Sequence, residues 1–589
     1  MRSIASIAGE AQDMKNADVA QLLDEIADML DMQGEPKFKV IAYQTAARRI
    51  ENLTEDINDV VAEKRLSRIK GVGESISAKV TEFVETGKCA YHDDLAEKLP
   101  PGLAKMLRIP GVGAKRARLF YDELNISTVE ELEEAARNHR LCKIPKFKEK
   151  TEQNVLEGIQ RLRQATGRML LGTALPAAEK IVRSLQDNPA VEQIETGGSI
   201  RRRRETIRDI DILVASTKPE DAIEAFAGLP NVVSVLAKGK TKASVLTEQD
   251  LQVDLRVVAP DEWGAALQYF TGSKDHNVQL RGLAIDQGLK VNEYGLFRVE
   301  TNEKIAGADE EGMYRGVGMA WIPPEIREGS GEIEAAMEGR LPDLVDLTDI
   351  RGDLHTHSDW SDGRHTMEQM ADAAMARGYE YLAVTDHSFG LGFIGLTVEK
   401  ISEQREAIDA LNEEYEDFRL LHGIEVNIRG DGTLDYPDEV LAAFDVVTAS
   451  LHGGLSQPRE RITERLLSAI RNPHVDIIGH PSGRLINRRD PSDFDEDTVF
   501  AAAAETGTAL EINSQPDRLD LKDSHARRAM EAGVDVAINS DAHSTDQLQL
   551  VRYGVATARR GWVEKGRVLN ALPLDALLER LSGRAKAAR

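Results

Sequence analysis

The chain has 589 residues, 41% of them hydrophobic, so it is too long for a single core and is expected to fold as several domains. It contains no apolar run of roughly 18 residues, and its first residues are too acidic and polar for a secretory signal, which predicts a soluble cytoplasmic protein without a membrane partner. Its two cysteines, Cys89 and Cys142, exclude a disulfide framework and a thiolate zinc site, so any bound metal must be held by histidine and carboxylate.

The formal net charge of −26 would argue against nucleic acid as a partner if it were spread evenly. The acidity, however, lies mostly towards the end of the sequence. Residues 1–150 carry a net charge of −2, residues 151–350 carry −10, and residues 351–589 carry −14. A nearly neutral N-terminal part can bind DNA through local hydrogen-bond geometry, so the charge does not exclude DNA binding.

Two similar segments interrupt the helical periodicity of residues 14–160. Residues 67–87 (SRIKGVGESISAKVTEFVETG) and 107–125 (LRIPGVGAKRARLFYDELN) both place Gly-Val-Gly before a helical pattern. Glycines allow a tight turn whose N–H groups, at a helix N-terminus, can hold a DNA phosphate without reading sequence, as in a helix-hairpin-helix. The predicted DNA contacts are Gly71, Gly73, Gly111 and Gly113. An ordinary helix turn explains any single copy as well, and a third segment, 143–159, has lysines in place of the glycines.

From about residue 175 short β-branched strands with a helix between them predict an α+β domain. The run GGSIRRRRETIRDIDILV (197–214) places Asp209 and Asp211 two residues apart on a predicted strand, so both carboxylates project from one face. Asp254, on another strand, could complete a site for two Mg²⁺ ions. A solvated polar strand edge is the alternative for the D-x-D spacing alone.

This stretch resembles the nucleotidyltransferase core of family X DNA polymerases. The G-S-x-R-R block stands as Gly198-Ser199-Ile200-Arg201-Arg202, D-x-D as Asp209-Ile210-Asp211, and the later D-x-R strand as Asp254 with Arg256. Tyr269-Phe270-Thr271-Gly272-Ser273, with Asn277 and Arg281, resembles the segment at the incoming nucleotide and the template, and Asn292-Glu293-Tyr294 resembles the thumb motif. The resemblance implies that Asp209, Asp211 and Asp254 are catalytic and hold Mg²⁺ or Mn²⁺, and that Arg281 touches DNA. It implies dNTP contacts for Gly198, Ser199, Arg202, Tyr269, Phe270, Gly272 and Asn277. A core strand end is the alternative for the Tyr-Phe-Thr-Gly run.

The N-terminal part also resembles the small lyase-type domain of that family. Lys39 and Tyr43 stand where the family binds the 5′-phosphate of a gap, and Lys79 stands where lyase-competent members form a Schiff base. Ser75 occupies a position where the family has another lysine, which removes a phosphate-binding charge. A surface lysine that touches DNA is an equally good interpretation of Lys79.

Beyond residue 350 the sequence repeats another unit, in which a buried apolar strand ends in a metal-type residue and a helix follows. The strand-end residues are His355 and His357 (DLHTH), His387 (VTDH), Glu425, His452, His480, Glu511, and Asp541 with His543 (SDAH); Asp362 follows the first of these strands. A barrel of parallel strands builds its active site at the carboxyl ends of the strands, so this pattern predicts a polynuclear metal site. Divalent ions there would activate water and neutralise phosphate, which predicts phosphoester hydrolysis.

The order of these motifs resembles the PHP (polymerase and histidinol phosphatase) superfamily. The resemblance implies a distorted (β/α)₇ barrel with about three ions of Mn²⁺ or Zn²⁺. His355, His357, Glu425 and Asp541 would hold one ion, Glu425 would bridge to a second held by His452 and His480, and Asp362, His387 and His543 would hold the third. Arg484, in GHPSGR, could hold the substrate phosphate or cap a helix.

The predicted fold is therefore multidomain: an all-α helix-hairpin-helix part, an α+β palm and thumb, and an α/β barrel. The expected domains are a lyase-like helical domain (1–95), a fingers-like helical domain (96–170), a palm (171–260), a thumb (261–330), a linker (331–350) and a PHP domain (351–580). The expected protein is a monomeric repair polymerase that fills gapped or nicked DNA from dNTPs and has a 3′ to 5′ exonuclease, with abasic-site endonuclease or 3′-phosphatase action as possible additions. The alternatives are a phosphatase of a small metabolite with a degenerate palm, and a noncatalytic scaffold that binds DNA ends.

Overall fold

The computed structural model describes residues 168–247, 251–390, 395–487 and 489–587 continuously. Before residue 168 it describes 35–51, 57–62, 64–69, 72–86, 89–97, 103–106, 114–124, 126–144 and the positions 19, 22–23, 26–27, 29–30, 109, 112, 147–148, 152, 155–156 and 159. The predicted DNA contacts Gly71, Gly111 and Gly113 lie outside these residues. The chain separates into two compact units, Met1–Gly167 and Arg168–Arg589.

The first unit is helical, as its periodicity predicts. The helices whose bounds the structure describes are α1 (Lys37–Glu51), α2 (Ile57–Ala62), α3 (Glu74–Thr86), α4 (Ala90–Glu97), α5 (Leu103–Met106), α6 (Ala114–Leu124) and α7 (Val129–Arg137). The helices α3 and α6 begin directly after the two Gly-Val-Gly segments, and the middle residues Val72 and Val112 are buried in one shared core. The two copies of the motif therefore use their valine in the same way.

A five-stranded sheet organises the first part of the second unit. Its elements are β1 (Met169–Leu170), α8 (Leu171–Leu185), β2 (Gln193–Thr196), α9 (Gly198–Arg201), β3 (Thr206–Ile207), β4 (Ile210–Ala215), α10 (Pro219–Ala227), β5 (Val232–Lys238), β6 (Lys242–Thr247) and β7 (Gln252–Val258). The sheet order is β2-β4-β7-β6-β5, in which β4 and β7 are parallel and the other neighbours antiparallel. This is the α+β palm that the sequence predicts.

Helices and a small antiparallel sheet follow the palm. They are α11 (Trp263–Thr271), α12 (Lys274–Asp286), β8 (Leu289–Asn292), β9 (Gly295–Arg298), β10 (Lys304–Ala306), α13 (Glu310–Gly316) and α14 (Glu332–Met337). The small sheet has the order β10-β9-β8. Its buried side chains and those of the helices share a separate core that includes Leu280, Leu296 and Tyr314. All of these elements except α14 lie in the range expected for the thumb, and α14 lies in the range expected for the linker.

Seven parallel strands in sequential order form the C-terminal barrel. The elements are β11 (Gly352–Thr356), α15 (Met367–Met375), β12 (Tyr381–Val384), α16 (Val398–Glu414), β13 (Arg419–Asn427), α17 (Asp438–Leu441), β14 (Val446–Ser450), α18 (Arg459–Ile470), β15 (Ile477–Gly479), α19 (Glu496–Thr506), β16 (Ala509–Asn513), α20 (Asp523–Glu531), β17 (Val536–Asn539), α21 (Val551–Arg560) and α22 (Leu574–Ala587). The first and last strands meet where the His357 N–H donates to the Ala542 carbonyl at 2.9 Å. The predicted (β/α)₇ barrel is confirmed.

The palm and the barrel share hydrophobic core. Leu519 and Tyr553 belong to the barrel part of the sequence, yet both are buried in the cluster of apolar side chains that lines the palm. Gly172 at the start of α8 lies so near Pro516 that a Cβ on this glycine would come within 2.4 Å of the proline Cβ. The two parts are therefore packed against each other as one body.

Candidate active sites

The parallel pairing of β4 with β7 brings two of the predicted catalytic carboxylates together. Asp211 lies directly beside Asp254 in the strand register, and Asp209 is the residue just before β4 begins. Asp211 and Asp254 line a cavity of about 170 Å³ together with Lys242, Arg256 and other residues of the palm. The Lys242 ammonium lies 3.6 Å from the Asp254 carboxylate. The palm thus presents adjacent carboxylates to a small open site.

The turn before α9 approaches Asp211 at a distance that a larger residue would not allow. Gly198 has a φ of +53°, and a Cβ on it would lie 2.2 Å from Oδ2 of Asp211. The Gly197 N–H donates to the Asp211 carbonyl at 2.8 Å, which fixes the turn to β4. Ser199, the next residue, is half-buried in the first turn of the short helix. A backbone turn and a hydroxyl therefore lie at the edge of the carboxylate site.

The two arginines of this motif have different partners. Arg201 binds Glu310 with both terminal nitrogens, at 2.7 and 2.9 Å, and so joins the turn to the thumb. Arg202 donates from Nε to Glu328 at 3.1 Å and from Nη1 to the Thr271 carbonyl, and its Nη2 makes no hydrogen bond to a described residue. Of the guanidinium of Arg202, a predicted nucleotide contact, only Nη2 is thus available to a ligand.

Tyr269 and Phe270 lie at the end of helix α11 and not on a strand. Their rings meet edge to face with centroids 5.1 Å apart, and the Arg256 guanidinium lies 4.5 Å from the centre of the Phe270 ring. The Asn277 amide donates to the Tyr269 carbonyl at 2.8 Å, so this predicted nucleotide contact also holds the helix end. Gly272 closes the helix with a φ of +68°.

Arg281 is exposed on helix α12, where its Nε donates to the Asn277 carbonyl at 3.2 Å. Its position on the helix that follows the aromatic pair is compatible with the predicted contact to DNA.

Lys39, Tyr43 and Lys79 lie around one aromatic ring of the first unit. The Lys79 ammonium is 4.5 Å and the Lys39 ammonium 6.0 Å from the centre of the Tyr91 ring, and Tyr43 stacks on Tyr91 at 6.3 Å. Burial raises the pKa of Tyr43 to about 12. Lys79 donates to the hydroxyl of Ser75 at 2.9 Å. The two predicted lysines are therefore neighbours, whereas Tyr43 is 4% exposed and presents little surface to a ligand.

The barrel brings all nine predicted metal ligands to the carboxyl ends of its strands. Among the described residues, three groups have ligand atoms within 4.8 Å of one another. They are His357 with Asp362, His387 and His543; His355 with His357 and Asp541; and His387 with Glu425 and His452. These groups contain eight of the nine predicted ligands, and His480 belongs to none of them. The palm aspartates are not among these groups, so their convergence on a shared ion stays a prediction.

Glu425 lies at the centre of the barrel cluster. Its Oε1 is 3.2 Å from Nε2 of His452 and 3.1 Å from Nε2 of His480, while its Oε2 is 2.8 Å from Nδ1 of His387 and 3.5 Å from Nε2 of His355. Burial alone would raise the pKa of this carboxyl, but the surrounding imidazoles lower it well below its usual value. The two oxygens thus face different histidines, as a bridging ligand requires.

Asp362 and Asp541 belong to the other two groups of predicted ligands. Oδ2 of Asp362 is 3.5 Å from His387 and 3.4 Å from His543, and Oδ1 of Asp541 is 3.2 Å from Nε2 of His357. Burial lowers the pKa of His357 to about 4, with help from the neighbouring His387 and His543 imidazoles. A neutral imidazole is the form that binds a metal ion.

Several nitrogen atoms of the buried imidazoles lie near carboxylates without forming a hydrogen bond. They are Nε2 of His355, both ring nitrogens of His357 and Nδ1 of His387, which make no hydrogen bond within the described part of the chain although Glu425 and Asp541 lie close to them. Unpaired buried nitrogen is costly, whereas imidazole and carboxylate together suit divalent transition metals. The donor set therefore fits a polynuclear metal centre.

A second layer of side chains orients these ligands, and sequence reasoning did not assign it. Nδ1 of His355 lies 2.7 Å from Oε1 of the fully buried Glu511, and the Asn427 side chain meets Nδ1 of His452. The sequence marked Glu511 as a strand-end acid but gave no sign that it supports a histidine. Arg484 donates to Glu205 of the palm at 2.7 Å and to the Leu519 carbonyl at 2.6 Å.

No helix among the described residues combines the length and the apolarity that crossing a membrane would require. Four family profiles match parts of the chain. They are a helix-hairpin-helix domain (14–89), a SAM-like helix-hairpin-helix tandem (103–161), the DNA polymerase beta thumb (266–328) and the PHP domain (353–515).

Two kinds of relatives are similar to the chain. The DNA polymerase/3'-5' exonuclease PolX of Bacillus subtilis is 39% identical over 573 residues, which cover 96% of this chain and 100% of the relative. A probable phosphatase of Thermoanaerobacter sp. strain X514 is 32% identical over 235 residues, which cover 37% of this chain and 89% of that protein. The similarity to PolX runs through both candidate sites, whereas the phosphatase matches a limited part. The chain therefore belongs to the family X DNA polymerases that combine helix-hairpin-helix modules, a polymerase thumb and a PHP domain.

Proposed function

We propose that this chain is a DNA-directed DNA polymerase that fills short gaps during repair and carries a 3′ to 5′ exonuclease in its barrel. The observation that carries this proposal is the presence of two separate groups of candidate metal ligands in one chain. One is the Asp211 and Asp254 pair beside Gly198, and the other is the buried histidine cluster around Glu425. A relative named as both polymerase and exonuclease aligns with both sites.

At the palm, Asp209, Asp211 and Asp254 would hold Mg²⁺ or Mn²⁺, because closely spaced carboxylates suit these ions. Such ions, when bound, lower the cost of deprotonating a 3′-hydroxyl and of releasing pyrophosphate. The protein groups position the substrate. The backbone turn at Gly198 and the Ser199 hydroxyl would bind the triphosphate.

The remaining predicted nucleotide contacts surround the end of α11. The Tyr269 and Phe270 rings would support the sugar and base, Gly272 and Asn277 would fix the helix end against the nucleotide, and Nη2 of Arg202 would reach a phosphate. Arg281 would contact the template strand.

In the barrel, the eight grouped ligands and His480, which lies 3.1 Å from Glu425, would hold about three ions of Mn²⁺ or Zn²⁺, for which mixed imidazole and carboxylate donors are suited. These ions, when bound, supply an activated water and neutralise the scissile phosphate. Glu511 and Asn427 hold His355 and His452 in the orientation that ligation needs. The DNA 3′ end would enter at the carboxyl ends of the strands.

The first unit would hold gapped or nicked DNA through its two Gly-Val-Gly turns, with Lys39 and Tyr43 at the 5′-phosphate and Lys79 available for a Schiff base with an abasic sugar. The neighbouring Lys39 and Lys79 ammonium groups support an anion site there. We infer a monomer that acts in the cytoplasm.

The phosphatase of a small metabolite accounts for the barrel alone. It gives no role to Asp211 and Asp254, which lie beside each other in register, or to the glycine turn next to them. A noncatalytic scaffold would likewise have no use for a buried cluster of ligands, since clustered unpaired groups are costly to keep.

Two double variants test the two-site proposal. Asp209→Ala with Asp211→Ala should abolish incorporation of labelled dNTP into gapped DNA while 3′ to 5′ degradation continues. His355→Ala with His357→Ala should abolish degradation while incorporation continues. The measurement is both activities on both proteins, with circular dichroism as a control for folding. Loss of both activities in either folded variant would contradict separate sites.

A further inference from the structure

A buried arginine of the barrel reaches the nucleotide-binding turn of the palm. Arg560, the last residue of helix α21, is 9% exposed. Its Nε donates to Asp523 of the barrel at 2.9 Å. Its Nη1 donates to the Arg202 carbonyl at 2.8 Å and to Oε1 of Glu328 at 2.9 Å. One guanidinium thus connects a barrel carboxylate with the main chain of the palm.

The contact continues towards the nucleotide site. Oε1 of Glu328, which accepts from Arg560, also accepts from Nε of Arg202 at 3.1 Å. Arg202 in turn donates to the Thr271 carbonyl, at the end of the helix that carries Tyr269 and Phe270. The path from Asp523 to the helix end therefore consists of consecutive charge-assisted hydrogen bonds, in which Arg560 is buried and Asp523 and Glu328 are partly exposed.

This arrangement restrains Arg202 at two points. Arg560 binds its carbonyl, and Glu328, held by Arg560, binds its side chain. Without Arg560, Glu328 would keep Arg202 and the more exposed Arg204 as partners, at 3.1 and 3.5 Å, but would lose its link to the barrel. Charge-assisted, forked hydrogen bonds set direction as well as distance, so their loss should let the turn, with the helix end that Arg202 holds at Thr271, shift relative to the barrel.

We propose that Arg560 of the PHP domain is a positioning residue for nucleotide binding in the palm. It acts by holding Glu328 and the Arg202 main chain, and it does not touch the substrate. The barrel is then a structural part of the polymerase site in addition to a nuclease. This inference rests on the proposed polymerase function.

A second arginine of the same helix provides a matched control. Arg552 binds Glu179 of the palm helix α8 at 2.7 Å, so it also joins barrel to palm. The described interactions of Arg552 include an electrostatic one with Arg203 but no contact with Gly198, Arg202 or Glu328. Replacing Arg552 therefore removes an ion pair between the same two parts without removing the proposed positioning contacts.

The experiment compares Arg560→Gln with Arg552→Gln in the full chain. Single-nucleotide incorporation on gapped DNA gives the KM for dNTP and kcat, and degradation of a labelled single strand gives the nuclease rate. For Arg560→Gln we expect the KM for dNTP to rise roughly 10- to 100-fold, because small displacements of binding groups have effects of this size. We expect nuclease activity to stay within about twofold of the unmodified chain, and Arg552→Gln to change KM by less than about twofold, as for a surface pair.

The Arg560→Lys variant keeps the positive charge and removes the forked guanidinium group. We therefore expect its KM for dNTP to lie between those of the unmodified chain and Arg560→Gln. Equal KM values for Arg560→Gln and Arg552→Gln would overturn the inference. If Arg560→Gln does not fold, Glu328→Gln replaces it, since this change breaks the same link from the side opposite the barrel, and an unchanged KM there would also overturn the inference. An unmodified chain that degrades DNA but incorporates no nucleotide would instead overturn the proposed polymerase function.

Discussion

Gly198 illustrates how a single residue can decide the geometry of the palm site. Its φ of +53° costs an L-residue about 1–2 kcal/mol, and a methyl group there would overlap Oδ2 of Asp211 at 2.2 Å. The turn and the carboxylate could not both keep their positions. The sequence predicts that this glycine contacts the dNTP, and the structure adds a steric reason for a glycine at this position.

We therefore expect Gly198→Ala to lower dNTP incorporation by at least about tenfold through displacement of Asp211, while nuclease activity is retained. The matched control is Gly566→Ala in the barrel, where a Cβ would meet nothing within 4 Å. We expect this variant to keep both activities unchanged. Incorporation kinetics on gapped DNA measure the effect. Similar rates for the two variants would show that the turn tolerates a side chain.

Strand β16 contributes to the barrel site through its second layer. Glu511 is fully buried and accepts hydrogen bonds from the His480 main chain and the Asn539 side chain while it faces His355. The Glu511 carboxylate fixes which imidazole nitrogen of His355 is turned towards the cluster. The burial that would raise the pKa of Glu511 is outweighed by the His355 charge, so its pKa is lowered and the group stays ionised.

We expect Glu511→Gln to weaken metal binding about 10- to 100-fold, since partners of metal ligands have effects of this size. Degradation of DNA should fall at limiting Mn²⁺ and recover when Mn²⁺ is in excess, while dNTP incorporation is unaffected. Metal titration followed by the nuclease rate measures this, with the exposed Glu531→Gln as the control. An unchanged titration would assign Glu511 to folding alone.

The sequence patterns of individual elements predicted the barrel fold, but they did not predict the side-chain contacts between elements. Parallel strands all present their carboxyl ends at one side, so the strand-end histidines and acids converge once the topology is right. Nothing local to GHPSGR indicates that Arg484 pairs with Glu205, because the partner is 279 residues away. For the same reason the sequence left the role of Arg484 open between a phosphate ligand and a helix cap.

The palm shows the same limit. The D-x-D spacing and the later aspartate were visible in the sequence, but the register that sets Asp211 beside Asp254 depends on the pairing of β4 with β7. The Tyr269 and Phe270 rings lie on a helix, where the sequence left a core strand end as the alternative. Residue types and spacing thus predict the chemistry, while the neighbours of each group depend on tertiary packing.

At the scale of the whole molecule, the palm and the barrel are packed together through a shared hydrophobic core. Leu519, from the loop after β16, is fully buried among apolar side chains of the palm, and Tyr553 of helix α21 is buried in the same cluster. A core shared by two parts makes the unfolding of either part expose apolar surface of the other. The nuclease barrel therefore stabilises the polymerase part directly.

We expect Leu519→Ala to destabilise the second unit by about 2–5 kcal/mol, the usual cost of removing a buried leucine side chain. Because the neighbours of Leu519 are palm residues, hydrogen exchange should accelerate in β4 and β7 together with β16. Leu548→Ala is the control, since that leucine is equally buried but packs in the core of the barrel itself. Calorimetry of the full chain should show both variants lowering the same transition. If Leu519→Ala instead shifts a palm transition and leaves the barrel transition in place, then the two parts unfold independently and the shared core contributes little to their coupling.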